Sequence, residues 1–285
     1  PEEFLEIFII DEDFKPIGTV PSSKVLTTSR ETKMLSIMSE SQLLIPVDMD
    51  KEEVGHVFEN YNLNSAAVVD KTNKLVGMIM SDDVLTVLKE EAEEDYLLAA
   101  GVQGDVEADD SILELTKARL PWLFLGLVGG LGSVFILEGF EDVMTHPSYK
   151  TLFFFTPLIA AMAGNVGVQS SAIIVQGLAN DVVKGSLVNR LLKELGLSLI
   201  NGVILGILTI LFGLATNLPI ELSITISLSM LCVIVVAALI GTSIPILLDK
   251  KGIDPAIATG PFITTSNDIF GIFLFFYIAK IILGF

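Results

Sequence analysis

Gly260-Pro261-Phe262-Ile263-Thr264-Thr265-Ser266-Asn267-Asp268-Ile269-Phe270-Gly271 sets a carboxylate inside an apolar run that extends from about Ala256 to Phe285. A run of that length crosses a bilayer, which takes about 20 residues of helix. Asp268 lies 13 positions beyond Pro255. That is a rise of about 20 Å if the chain is helical, near mid-membrane or in the outer half. An isolated carboxylate at such a depth costs about 3 kcal/mol on insertion scales. A water-filled cavity, a bound cation or a partner group must offset that penalty. No lysine or arginine lies at matching depth in another apolar run, so a cation from solution is the simplest counter-charge. The competing reading is a protonated Asp268 hydrogen-bonded to Thr264 or Thr265. Pro261, Thr264, Asp268 and Gly271 share one small, polar helical face, whereas Phe262, Ile269, Phe273 and Phe276 form a greasy one. Gly260-Pro261 should break or kink the helix near its start and free carbonyls to line a cavity.

Four further runs of spanning length precede it: about Leu120–Leu137, Leu152–Leu178, Leu195–Thr216 and Ile220–Leu248. Lys117 and Arg119, then Lys184, Arg190 and Lys193, then Lys250 and Lys251 fall in alternate connections. The positive-inside rule therefore expects a multi-pass plasma-membrane protein with residues 1–119 in the cytoplasm and the C-terminus outside. Composition agrees with this division. The 285 residues are 51% apolar yet carry a net charge of −18. Residues 1–119 hold 26 acidic and 10 basic groups, net −16, and residues 120–285 hold 9 and 7, net −2. An acidic module followed by a membrane module argues for cations and against nucleic acid as partners. One cysteine, Cys232, excludes a disulfide framework, and two histidines cannot build a zinc site. The chain begins at Pro1 without a methionine or leader, as a piece of a longer protein would.

The second run carries Pro157 and then Ala163-Gly164-Asn165-Val166-Gly167-Val168-Gln169-Ser170-Ser171, which reads as a matching interruption. Asn165 and Gln169 stand at i and i+4 and offer uncharged oxygen ligands. A small-residue packing seam is the alternative. Two interrupted helices with one acid suit a hard divalent cation such as magnesium, which keeps most of its water shell. One chain offers one acid; two copies about a two-fold axis would offer a pair, so a homodimer through the membrane domain is expected.

Gly164-Asn165-x-Gly167-x-Gln169-Ser170, Asp254-Pro255-Ala256 and the stretch Gly260–Gly271 resemble the MgtE-type magnesium transporters, as do Arg119-Leu120-Pro121-Trp122-Leu123 and Gly139-Phe140-Glu141. The likeness covers 120–285 with its five spans in the same order. It implies a magnesium-selective, channel-like homodimer whose second and fifth spans line the pore. Asp268 would hold hydrated magnesium, and Thr264, Thr265, Gly271, Gly164, Asn165 and Gln169 would form the lining. Members of the family also pass other divalent ions.

In the acidic half an internal repeat runs without gaps at an offset of 59. Ile9-Ile10-Asp11 matches Val68-Val69-Asp70, Gly18 matches Gly77, and Val25-Leu26 matches Val84-Leu85. Each unit reads as strand, polar turn, strand through the glycine, then helix. Ile45-Pro46-Val47 reads as an additional strand, and Asp48 to Tyr61 as an amphipathic helix with Val54, Val57, Phe58 and Tyr61 inward. This resembles a tandem CBS pair whose first copy lacks its opening strand and helix. Such pairs often bind adenosine nucleotides, but here Met80 and Pro21 stand at the hydroxyl position of the family pattern and Lys24 replaces one acid. The sequence thus argues against nucleotide, ATP included.

The fold expected is an α+β CBS pair (residues 1–88), an acidic linker and connecting plug-like helix (89–119), and an all-α domain of five transmembrane helices (120–285). Glu90, Glu91, Glu93, Glu94 and Asp95, then Asp105, Glu107, Asp109 and Asp110, place nine acids in 21 residues. A charge run of this kind is usually a solvated face. In the resembled family, acids at the CBS domains and the plug helix bind magnesium and close the channel, which would make Glu90, Glu91, Glu93, Glu94, Asp95, Asp109 and Asp110 candidate sensors. The plug helix would run from Ser111 to Arg119, capped by Asp109 or Asp110. No Gly-x-x-x-x-Gly-Lys-Ser/Thr loop occurs, so ATP-driven pumping has no support. An intramembrane aspartyl protease would need two facing carboxylates. The expectation is magnesium import along the membrane potential, gated by cytosolic divalent cations. The alternative is transport or exchange of another divalent cation (Mn2+, Co2+ or Ca2+), or magnesium export coupled to sodium or protons.

Overall fold

The offset-59 repeat reappears as geometry in the computed structural model, which describes residues 6–40, 43–104, 106–180 and 186–284. The chain divides into two compact units, Pro1–Glu93 and Glu94–Phe285. In the first, the order is β1 (Glu6–Ile10), β2 (Pro16–Pro21), α1 (Ser22–Thr27), β3 (Leu44–Pro46), α2 (Lys51–Tyr61), β4 (Ser65–Val69), β5 (Leu75–Met80) and most of α3 (Ser81–Ala99), whose last residues, 94–99, belong to the second unit. β1 pairs antiparallel with β2, and β4 with β5; β3 adds in parallel to β4.

The two hairpins match in their turns. The Asp11 carboxylate accepts the amides of Asp13 and Lys15 at 2.9 and 2.8 Å. Asp70 accepts those of Thr72 and Lys74 at 2.8 and 3.0 Å. Phe14 and Asn73, 59 positions apart, both take a left-handed backbone, with φ of 64° and 61°. The register slips between Ile9 and Ile10 and again between Val68 and Val69. Ser65 Oγ donates to Glu6 Oε2 at 3.0 Å and the Leu75 amide to the Phe14 carbonyl at 2.8 Å, tying the hairpins together.

Ile45, Val54, Phe58, Ala66 and Val84 form the core of this unit, with Val57 and Leu63 packed against it. Tyr61, expected inward, is 62% exposed. α2 ends at that residue, with Asn62 in the left-handed cap, and the returning chain brings Leu63 to the core instead. The same helix begins at Lys51, because the Asp50 side chain accepts the Glu52 amide and caps it.

Hydrogen bonds from the Lys74 amide and from Thr72 hold the Asp70 carboxyl below the ordinary carboxylate range. A lowered folded-state value means this contribution is complete above the unfolded value and is lost as pH falls through the folded one. Asp70→Asn should therefore lower the melting temperature at neutral pH, and the gap to wild type should close as falling pH protonates the folded-state carboxyl, below the ordinary aspartate range. Thermal unfolding across pH checks it; a gap that stays constant would contradict the assignment.

The second unit continues with α4 (Ile112–Glu138), α5 (Glu141–Thr145), α6 (Thr156–Ala179), α7 (Leu187–Ala215), α8 (Ile220–Asp249) and α9 (Gly260–Leu283). Among the described residues five helices are long and apolar enough to cross a membrane: α4, α6 with the turn before it, α7, α8 and α9. α8 is the hub, packing against α6, α7 and α9, while α4 joins through α9. Gly202, Gly206 and Gly213 of α7 face Leu231, Ser227 and Ser223 of α8, a small-residue seam that brings the backbones together. Ile159, Ile226, Met230, Val233, Phe275 and Phe276 fill the centre.

Two sequence expectations change here. Residues 111–119 are not a separate helix. They form the first turns of α4, which runs unbroken through Pro121. Its cap is Ser111, in a reciprocal box with Glu114, rather than Asp109 or Asp110; Asp110 instead accepts the Glu107 amide at 2.8 Å. The second span is not interrupted either. Pro157 sits in the first turn of α6, where its missing N–H is harmless, and the helix continues through Ala163–Ser171.

Candidate functional site

Gly260 adopts φ +48°, a conformation costly for other residues, and Thr259 before it is extended. The chain therefore breaks after the short turn Pro255–Ala258, and α9 starts at Gly260 with Pro261 in its first turn. The expected break is thus a helix start. Asp268 lies about 12 Å into α9 rather than about 20 Å from a start at Pro255.

α9 meets α6 along a glycine-lined seam. A Cβ on Gly164 would stand 3.2 Å from Asp268 Oδ1 and 3.1 Å from Thr264 Cγ2. Asp268 is only partly buried, and among the described residues no lysine, arginine or histidine pairs with it. The Thr264 hydroxyl donates to the Gly260 carbonyl at 3.0 Å. The Thr265 methyl packs where a side chain on Gly129 of α4 would have to go. Neither threonine therefore gives Asp268 the hydrogen bond that the competing sequence reading required. Asn165 and Gln169 lie on the exposed side of α6 next to this seam. Gly271 is buried between Ala163 and Val233, so it serves close packing. Of the greasy face, Phe276 enters the core while Phe262 and Phe273 stay exposed. An open cleft of about 780 Å3, lined among others by Arg119, Trp122, Val168, Pro261, Thr264 and Thr265, adjoins the start of α9.

The acids take a different arrangement. Glu90, Glu91, Glu93, Glu94 and Asp95 lie on α3, so the boundary drawn at 88/89 falls inside that helix. Lys51 reaches Glu91 at 3.2 Å and Lys89 reaches Glu93 at 3.5 Å. Asp109 and Asp110 follow in the loop before α4; Asp105, like Lys184 of the basic connections, lies outside the described residues. Within one chain, no three acidic, histidine or cysteine side chains among the described residues come close enough to hold a metal.

Two residues of interest were not singled out in the sequence. Asn267 is 1% exposed, and its amide occupies the space a side chain on Gly167 would need. Glu194, expected at the edge of the third span, lies two turns inside α7 and accepts a hydrogen bond from Ser170. The only sequence signal for the latter was the charge itself.

Among the described residues, five helices of spanning length form a bundle in which the Asp268 carboxylate lies on a glycine seam. A family model described as a divalent cation transporter, MgtE, matches residues 156–278, and a CBS domain model matches residues 35–90. The chain is 33% identical over 283 residues to the magnesium transporter MgtE of Enterococcus faecalis, covering 98% of this chain and 61% of that protein. It is 32% identical over 274 residues to that of Bacillus subtilis, covering 96% and 60%. For the Thermus thermophilus protein the figures are 30% over 285 residues, 99% and 63%. Residues 156–278 thus match the MgtE model and residues 35–90, ahead of them in the chain, the CBS model. It spans about three fifths of the length of these curated relatives.

Proposed function

We propose that the chain conducts magnesium across the cell membrane as a homodimer, inward along the membrane potential, through a path beside Asp268. The observation that carries this reading is the partly exposed Asp268 carboxylate, held against Gly164 with no cationic side chain paired to it among the described residues. Magnesium is the ion transported by the relatives by name. It is held through its water shell by few carboxylates, and two chains about an axis bring two. Thr264, Thr265, Asn165 and Gln169 offer oxygens for that shell, and the glycines at 164 and 271 let α6 and α9 approach. A potential of 100 mV, negative inside, favours inward movement by about 2.3 kcal/mol per charge. The alternation of basic connections supports a cytoplasmic N-terminal half and an outward C-terminus. Growth of a transport-deficient bacterium in limiting magnesium, with and without Asp268, tests the reading.

The acidic half supplies the control. Residues 1–88 act as the CBS module, 89–119 as the connection and 120–285 as the pore domain. Cytosolic magnesium gathers on Glu90, Glu91, Glu93, Glu94 and Asp95, with Asp109 and Asp110, and relieves their mutual repulsion. Replacing Glu93 and Glu94 by Gln and Asp95 by Asn should leave currents less inhibited by cytosolic magnesium, moving half-inhibition upward by about tenfold. Inhibition at the wild-type concentration would remove the cluster from the sensor.

A further inference from the structure

An ionisable side chain inside a spanning helix calls for a partner and a purpose. Asp268 is one such group; Glu194 stands at the start of the apolar run of α7, one residue before Leu195. It lies seven residues into α7, and Ser170 Oγ of α6 donates to its Oε1 at 2.6 Å. Ser170 is 5% exposed. A hydroxyl donating to a carboxylate at that length makes a strong, directional bond. α8 packs against both α6 and α7, so the bond joins two helices that share a third as neighbour. Ser170 follows Gln169 directly and lies five positions after Asn165. Fixing its direction fixes theirs, because successive residues turn by about 100° around a helix.

We propose that Glu194 is a positioning residue, whose carboxylate holds the Ser170 hydroxyl and sets the rotation of α6 so that Asn165 and Gln169 face the ion path. The proposal rests on the transport reading for its consequence, but not for its geometry. Rotation of α6 by even a fraction of a turn would carry two of the four side-chain oxygen donors assigned to the lining away from the hydrated cation. The acceptor oxygen does this work, so the amide of Glu194→Gln retains it, whereas Glu194→Leu keeps the volume and removes it.

The test uses the full chain in membranes, with Cys232→Ala removing the native thiol and Gln169→Cys as the reporter. Its labelling rate by a water-soluble, positively charged methanethiosulfonate reagent reads the direction of α6 whatever is transported. Glu194→Leu should change that rate by about tenfold, and Glu194→Gln by less than about twofold. Ser170→Ala removes the donor at the loss of one oxygen atom. It should reproduce the Leu effect, and the double variant should add nothing further. With Gln169 intact, magnesium uptake by Glu194→Leu should fall about tenfold in maximal rate at unchanged KM, and Glu194→Gln should recover it. Labelling indifferent to Glu194→Leu and to Ser170→Ala, or effects of the two that simply add, would overturn the proposal. Should Asp268→Ala leave uptake intact while the labelling shift persists, the transport reading fails and the positioning stands.

Discussion

Asp268→Ala should reduce magnesium uptake to background while the protein still folds and assembles in the membrane. A divalent cation held through one water, about 5 Å from a carboxylate, gains about 7 kcal/mol at an effective dielectric of 20. Loss of that attraction corresponds to several orders of magnitude in occupancy. Nothing nearby replaces it: Thr264 donates to the Gly260 carbonyl, and no basic or acidic side chain among the described residues pairs at the site. Asp268→Asn keeps an oxygen for water-mediated contact, and partial conduction is expected. Because Asp268 is partly exposed and unpaired, its removal disturbs no core contact, so size-exclusion elution and melting temperature should match wild type. Uptake of magnesium by cells lacking their own transporters provides the measurement. Wild-type uptake in the alanine variant would leave the carboxylate without a role in transport.

Gly167→Val has the largest effect on folding. The space beside Gly167 is taken by the Asn267 amide, and a Cβ there would also stand 2.8 Å from Ile263 Cγ2. From the other side, the Gly167 backbone blocks any side chain on Gly241 of α8. Three helices thus meet at one residue, and overpacking at such a point costs about 3 kcal/mol. Gly196, also helical, faces open space, with no neighbour within 4 Å of where a Cβ would stand, and Ala there should stabilise by up to about 1 kcal/mol. Thermal unfolding of the purified protein compares the two. A melting temperature unchanged by Gly167→Val would mean that α6, α8 and α9 do not pack as described.

Much of this was legible in the sequence because it is local or periodic. The offset-59 repeat carried over to the Asp11 and Asp70 turns and to the left-handed Phe14 and Asn73. Runs of apolar residues long enough to span emerged as α4, α6, α7, α8 and α9. Gly164 and Asp268, quoted separately as motif residues 104 positions apart, come together across the α6–α9 seam. What escaped was tertiary. The Ser170–Glu194 bond joins two helices, and no spacing rule links its partners. Asn267 reads as one more polar residue beside Asp268 until Gly167 is seen against it. Glycines permit a helix break without requiring one, which is why the second span stayed continuous; at Gly260 the left-handed backbone did produce one. The polarity change near residue 120 suggested a boundary, and Pro121 offers a break there, but α4 passes through both.

Magnesium flux into liposomes containing the purified chain, driven only by a potassium diffusion potential, tests the central claim most directly. With no sodium or proton gradient, magnesium should enter at a rate that rises with the inside-negative potential, and Asp268→Ala vesicles should stay at the protein-free level. Flux that appears only when a sodium or proton gradient is imposed, or that is equal in wild-type and Asp268→Ala vesicles, would contradict a potential-driven path beside that carboxylate.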